Sequence, residues 1–566
     1  VWAHVDAATE YGSVWGNGYR ALDTSKVDYR IQALALQSGV LQHEHSTKEV
    51  FNVEHHHRCY RNKITERFLL SSRRGVEFVD LATGENYQNH WVRSGCKVGN
   101  LPCNGMLYVA PHPCQCYIDA KLIGFNALAP ARDAAVTSLR DRLERGPAYG
   151  SIRDEAGLPA APSDWPTYRH DMFRSGSTES TVDFDLEIAW TSNIGAMPSG
   201  LVVAGGKVLV AGSDEQKVFA LDSGSGAQVW TCTVGGRVKS PPTYYRGTAI
   251  FGSADGCIYC LRATDGELVW RFQAAPERRF VTALDQLESA WPVPGVLVKD
   301  GVCWFAAGRS SYLDGGIHVY ALDALSGQVL HRETIYSPDP QTGKMAPVTN
   351  AQEMSGLLND VPGSDGTNVF IRQMCVSTEG RSATRKHLYT TAGFLDSTWF
   401  NRTFWRIGRA QTTGPMVLGD GVAYGVEPFT SRSRDVVIQP GSNPYRLWCL
   451  PIDERAVARL DRRGKQVQGA VAARPLWDRR LSIRANALIR AGDVLLVAGS
   501  PDTVDPADPH GAWEGRQAGV VAAIATADGS PRGELRLPAL PIWDGMAVAE
   551  GRLFVALQNG AVLCLE

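Results

Sequence analysis

Apolar and polar residues alternate along most of the chain in short runs, the period of half-buried strands. The runs end repeatedly in one phrase: a strand closing on Leu-Asp or a near variant, a polar turn with Gly, then a second strand often ending in Trp. The copies span Phe78–Trp91, Ala220–Trp230, Cys260–Trp270, Ala321–His331 and Ala523–Leu535, with turn glycines at Gly84, Gly226, Gly266, Gly327 and Gly529. Val218, Ala220 and Asp222 alternate with Phe219 and Leu221, so each copy reads as an antiparallel hairpin. No unit is large enough to bury its own apolar face. Stacking four-stranded units around an axis buries it and removes most open strand edges, so the pattern predicts an all-β chain, a β-propeller of about eight four-stranded blades.

Two stretches break the alternation. Residues 24–50 carry Tyr29, Ile31, Leu34, Leu36 and Leu41 at approximately helical spacing behind a Thr/Ser start, which predicts a helical, His-rich insertion. Residues 131–163 predict a second helical insertion followed by a Pro/Gly/Ala-rich connector. Otherwise the repeats run to the C-terminus and favour a single propeller domain over residues 1–566. Two early blades are expected at about 58–95 and 96–129, and the N-terminal VWAHVD is expected to complete the last blade and close the ring.

Composition refines this picture. A 44% hydrophobic fraction with 57 Gly and 15 Trp suits a turn-rich β-protein with an ample core. A net charge of −2 gives no reason to expect nucleic acid as partner. No window is long and apolar enough to predict a transmembrane segment. The sequence begins at Val1 without Met, which reads as a mature product or an excised piece. Among 12 cysteines, Cys59, Cys96, Cys103, Cys114 and Cys116 crowd one early stretch, where either disulfides in an exported protein or buried free thiols are expected.

The repeat phrase is similar to the pyrroloquinoline-quinone-type (PQQ-like) propeller repeat, shared by quinoprotein alcohol dehydrogenases and by non-catalytic propellers of outer-membrane assembly. DWPTYRHDMFRSGST, at Asp164–Thr178, resembles the lead-in run that precedes the first regular blade of such proteins. HRCYRNKITERFLLSSRRGVEFVDL, NGMLYVAPHPCQCY and GRSSYLDGG resemble exported, planctomycete-like propellers of polysaccharide-degrading bacteria. The resemblance implies a periplasmic or secreted location. It speaks for fold more than activity, because the phrase describes blade packing. Quinone binding (PQQ) is not expected: the family's dehydrogenases use adjacent cysteines and a Glu/Asn/Asp set, and here Cys114 and Cys116 are separated by Gln115.

Four polar and aromatic stretches carry candidate chemistry. Residues 43–63 hold His43, His45, His55 and His57 at alternating strand positions, where His43, His45 and His55 are candidate ligands for a divalent metal such as Zn, Mn or Ca. Arg58, Tyr60, Arg61 and Lys63 follow, a density that suits either an anionic ligand or a salt-bridged blade junction. TYRHDMFR brings Arg169, His170, Asp171 and Arg174 together, either as a base with its orienting carboxylate or as a run that pins the chain to the axis. Glu288, Trp291, Arg309 and Tyr312 form the third group, and Trp399 and Arg402 the fourth. Aromatic faces beside Arg and carboxylates suit sugar rings, although Trp is also the ordinary inter-blade packing residue.

Taken together these groups predict a carbohydrate-active enzyme on an acidic, uronate-containing oligo- or polysaccharide, most concretely a lyase working by β-elimination. His57 or His170 would be the base, Tyr60 or Tyr312 the acid, and Arg58, Arg61 or Arg309 the carboxylate neutraliser. Lys63, Arg169, Glu288, Trp291, Trp399 and Arg402 would bind the substrate. A glycoside hydrolase, a quinone- or metal-dependent sugar oxidoreductase and a non-catalytic binding propeller are the alternatives.

Overall fold

The structure is a computed structural model that describes residues 2–8, 27–47, 61–71, 75–95, 98–111, 121–122, 124–130, 142–152, 159–183, 185–345, 356–377, 386–397, 404–408, 410–427, 445–452, 459–460, 466–467 and 474–566. The strands among them build antiparallel sheets, with one short parallel pairing at Ser177–Thr178, the all-β propeller architecture that the alternation predicts. Two compact units form: Val1–Ala135 with Ser310–Gly316 and Ile335–Leu358, and Val136–Arg309 with Ile317–Thr334 and Asn359–Glu566.

In the first unit, Trp2–Ala8, Val27–Leu34 and Leu41–Ser46 make a three-stranded sheet. The helix expected in residues 24–50 is therefore not formed. Tyr29 and Ile31 fit a period of two as well as a helix, and the buried positions Ile31 and Ala33 alternate with half-buried neighbours. The N-terminal strand pairs with Val27–Leu34 rather than with the last blade. Lys63–Ile64, Phe68–Ser71, Val76–Asp80 and Asn86–Asn89 form a four-stranded sheet, and Leu101–Cys103, Met106–Val109 and Asn126–Leu128 a three-stranded one. Cys103 is a free, exposed thiol, and the other four cysteines of that early group lie outside the described residues.

The second unit holds the regular repeats. Val202–Ala204, Lys207–Gly212, Lys217–Asp222 and Gln228–Thr233 form one blade. Thr243–Tyr245, Thr248–Gly252, Cys257–Arg262 and Leu268–Gln273 form the next. Leu143–Arg145 adds to it as a fifth, outer strand in the stretch expected to be helical. Further sheets begin at Leu297–Lys299, Gly363–Ser364, Tyr389–Thr390, Met416–Gly419 and Ile483–Ala491. The final sheet, Pro541–Ala549, Arg552–Leu557 and Ala561–Leu565, takes its fourth strand from Ile188–Asn193, which supplies the closure expected of the N-terminus.

The repeat phrase has a physical cause. At each turn the Asp side chain caps the following N–H groups, as when Asp222 Oδ1 accepts from Ser225 N at 2.9 Å and Asp323 Oδ1 from Ser326 N at 2.7 Å. The turn then needs a left-handed residue, and Gly226 has φ +72°. A Cβ there would lie 2.5 Å from the ring of Trp190, because the Trp of one blade lies on the turn glycine of the next. Trp230 meets Gly266 and Trp477 meets Gly529 in the same way, and their indole N–H groups donate to Ala263 O and Thr526 O, each at 2.9 Å. The phrase is thus an inter-blade joint that joins apolar burial to one directed hydrogen bond.

Candidate functional site

The run Asp164–Thr178 crosses the centre of the second unit and touches one inner strand after another. Trp165 bridges Val203, Pro166 O accepts from Tyr244 N at 2.7 Å, and Met172 O from Ser364 N at 2.8 Å. Ser175 O accepts from Leu418 N and Gly176 O from Arg490 N, each at 2.9 Å, before Ser177–Thr178 pairs in parallel with Ile483–Ala491. Arg169, His170 and Arg174 hold left-handed φ angles of 58°, 75° and 56°. Such backbone costs about 1 kcal/mol or more per residue and persists where surrounding bonds over-determine it.

Those bonds are extensive. Arg169 Nη1 donates to Asp544 Oδ1 at 2.8 Å, with both side chains almost fully buried, and its Nε donates to Arg174 O at 2.9 Å. Tyr168 OH donates to Asp544 Oδ2 at 2.7 Å, and burial together with the Asp544 charge pushes the phenol well above its ordinary range. Arg174 is wholly buried and donates to Pro362 O and Val296 O at 2.9 Å and Tyr168 O at 2.8 Å. His170 Nδ1 stands 3.9 Å from Asp171 Oδ2, beyond hydrogen-bond reach, while Asp171 accepts from Ser175 N at 3.0 Å and Ser175 Oγ at 2.7 Å. These bonds fit a run that ties several sheets together through its Arg and Asp groups, with His170 beyond hydrogen-bond reach of Asp171.

The third group is also internal. Glu288 is 1% exposed, and its carboxylate faces Arg309 Nη2 at 2.9 Å, Arg237 Nη1 at 3.4 Å and Lys239 Nζ at 3.7 Å. Trp291 is buried under Arg279, 5.3 Å from its ring centre. Tyr312 is buried in the first unit, whereas Glu288, Trp291 and Arg309 belong to the second. These residues are packing and charge-pairing groups rather than an exposed sugar platform.

The first group divides. His45 Nε2 bonds Leu81 O at 2.9 Å, and its ring lies over Gly84, so it fills in its own unit the role that Trp fills in the regular blades. This engagement corrects the metal expectation for His45. His43 is exposed on the same strand, and among the described residues no group of three His, Cys, Asp or Glu side chains could hold a metal ion. Arg61 is exposed and Lys63 half-buried at a sheet edge of the first unit. His55, His57, Arg58, Tyr60, Trp399 and Arg402 lie outside the described residues.

Two features escaped the sequence reading. A cavity of about 590 Å³ in the second unit is lined by Tyr168, Lys239, Tyr445, Arg484, Trp513 and Trp543 among others. Beside it stands the hairpin Phe280–Ala283 and Gln286–Ser289, whose Phe280, Leu284 and Leu287 are 60%, 76% and 66% exposed. Arg237 Nη1 donates to Ala283 O at 2.9 Å, Gln286 Nε2 to Asp214 O at 2.8 Å and Gln216 Nε2 to Gln286 Oε1 at 3.0 Å, so the hairpin is clamped through the residues that flank its turn. The signal for the hairpin was present in sequence as FVTALDQLES, alternating strands around an Asp-bearing turn.

With this geometry established, comparison with known proteins bears on the origin of the repeats. Residues 179–373 match the family described as outer membrane protein assembly factor BamB. The chain carries PQQ-like propeller repeats. Curated relatives include BamB of Nitrosomonas eutropha, 28% identical over 26% of this chain and 32% of that protein, and BamB of Yersinia pestis, 32% identical over 14% and 20%. The chain thus spans about a third or less of the length of these relatives. Among solved structures, the quinohemoprotein alcohol dehydrogenase of Comamonas testosteroni aligns over 73% of this chain and 82% of its own, at 13% identity and a TM-score of 0.43.

These matches overturn the expectation of a carbohydrate-active lyase on an acidic polysaccharide. The PQQ-like stretch matches an outer-membrane assembly factor, and the described residues cast as base, neutraliser and sugar contacts are engaged in structural bonds or belong to different units. No described helix is long and apolar enough to cross a membrane.

Proposed function

We propose that this chain is a non-catalytic propeller that docks an extended protein segment outside the cytoplasm, in the assembly of outer-membrane proteins that its BamB relatives are named for. The observation that carries this reading is the Phe280–Ser289 hairpin. Large apolar side chains stand in water on a hairpin whose backbone and inner side are held through Ala283, Gln286 and Glu288, so little ordering cost remains when a partner covers them. Leu284 and Asp285, at its tip, both hold left-handed φ angles, 49° and 64°, the turn form that suits two-residue hairpins but strains a leucine.

The test is site-directed crosslinking. L284C carrying a benzophenone label, in the full purified chain, is mixed with a urea-unfolded outer-membrane porin diluted into buffer. An adduct at Leu284, and none with the same label on Q228C in the outer strand Gln228–Thr233, supports docking through the hairpin. Equal labelling at both positions, or none at Leu284, refutes it.

A further inference from the structure

We infer that the cavity beside the hairpin is a carboxylate-reading site, which selects docked segments by one acidic side chain. The inference rests on the docking reading and adds the chemistry of the partner. Its lining holds Lys239, Arg484 and Glu514 as charged groups. Glu514 is paired with Arg516, and Lys239 shares buried Glu288 with Arg237 and Arg309. Arg484 remains: its guanidinium lies over Trp513, 3.5 Å from the ring centre, and Nη1 donates to Trp513 O at 3.3 Å. No described carboxylate pairs with it.

A stacked guanidinium is held flat and presents its remaining N–H edge for a two-point bond to a carboxylate. Two cations against one already neutralised acid leave the cavity electropositive, so an anion is favoured over a neutral group. The volume of about 590 Å³ suits a side chain with its adjoining backbone. The cavity is also joined to the hairpin. Ser213 and Lys239 line it, while Asp214 O holds Gln286 beside the hairpin turn and Lys239 faces Glu288 on the hairpin's second strand. A segment lying across Leu284 and Leu287 would pass the mouth of the cavity, and the ligand class is therefore an extended apolar peptide bearing a single Asp or Glu.

The experiment uses the full chain and two rhodamine-labelled decapeptides of alternating leucine and threonine, one with a central glutamate and one with glutamine there. Fluorescence anisotropy should show about tenfold tighter binding of the glutamate peptide, the size of one charge-assisted bond, with the difference shrinking as salt rises. R484M should remove that preference, and R484K, which keeps the charge without the flat fork, should restore part of it. L284S/L287S should weaken both peptides and leave their ratio intact. Equal affinities in the wild type, no binding of either peptide, or a preference that survives R484M would overturn the carboxylate site. If the preference is present but L284S/L287S changes nothing, the carboxylate site stands and the hairpin reading fails.

Discussion

Removing the carboxylate of Asp544 should be among the most damaging single changes to the second unit. The D544A variant strands the Arg169 guanidinium in a site where it is 3% exposed, and takes from Tyr168 its 2.7 Å acceptor. Breaking one side of a buried pair costs about 3–5 kcal/mol, and the lost phenol bond adds about 1 kcal/mol. Removing the other partner in R169M should cost a similar amount, since Asp544 then keeps Tyr168 as its donor in a buried setting. The double variant removes both charges together and should cost well under the sum of the singles, a coupling of about 2 kcal/mol or more. Equilibrium urea unfolding followed by tryptophan fluorescence measures this, since Trp405 lies 4.6 Å from the Arg169 guanidinium carbon. The expected readout is a lower midpoint at unchanged slope for each single variant. Additive single costs to within about 0.5 kcal/mol, or a D544A loss below about 1 kcal/mol, would refute the view that this pair locks the central run to the last sheet.

Other consequences follow from the same contacts. G266A puts a Cβ 2.7 Å from the Trp230 ring at a φ of +76°, and should destabilise the unit by about 2–4 kcal/mol in the same urea assay. Burial pushes the Asp360 carboxyl up to about 6, against the pull of Arg372 and the N–H donors of Val361 and Phe394. The folded state therefore holds the proton more tightly than the unfolded chain, this residue's contribution falls as pH rises from about 4 to 6, and D360N should abolish that fall in a stability–pH series. His318 has the opposite sign: burial, with Arg332 and Arg142 nearby, lowers it to about 4, so stability is lost as pH falls from about 6.5 to 4. H318Q should flatten that limb. L284S/L287S should leave the urea midpoint within about 0.5 kcal/mol of wild type, because both side chains are exposed.

What could be read in advance tracks how local the cause is. The Asp-to-Gly turn and its Trp sit within one short phrase, so the blade joint was visible in sequence. TYRHDMFR was legible as an axis-pinning run, and its partners were not: Arg169 meets Asp544 far along the chain, in the otherwise apolar strand PIWDGMAVA. A lone aspartate in such a strand is the one available hint. Tyr29 and Ile31 suited two periods at once, and pairing with Trp2–Ala8 and Leu41–Ser46 chose the strand. The closing strand was hidden because Ile188–Asn193 looks like any blade strand, although its Trp190 already stands in the docking position. Glu288 and Arg309 were correctly grouped, but three cations around one sheltered acid make a clamp, a distinction that depends on burial.

The latch between Ile188–Asn193 and Ala561–Leu565 sets the order of events during synthesis. A ribosome releases the first half of that fastening long before the second exists, and the central run must wait as long for Asp544. Until the final strands emerge, the growing polypeptide is an open arc with a raw edge at either end. Its exposure to proteases and to sticky neighbours therefore lasts until those strands are made.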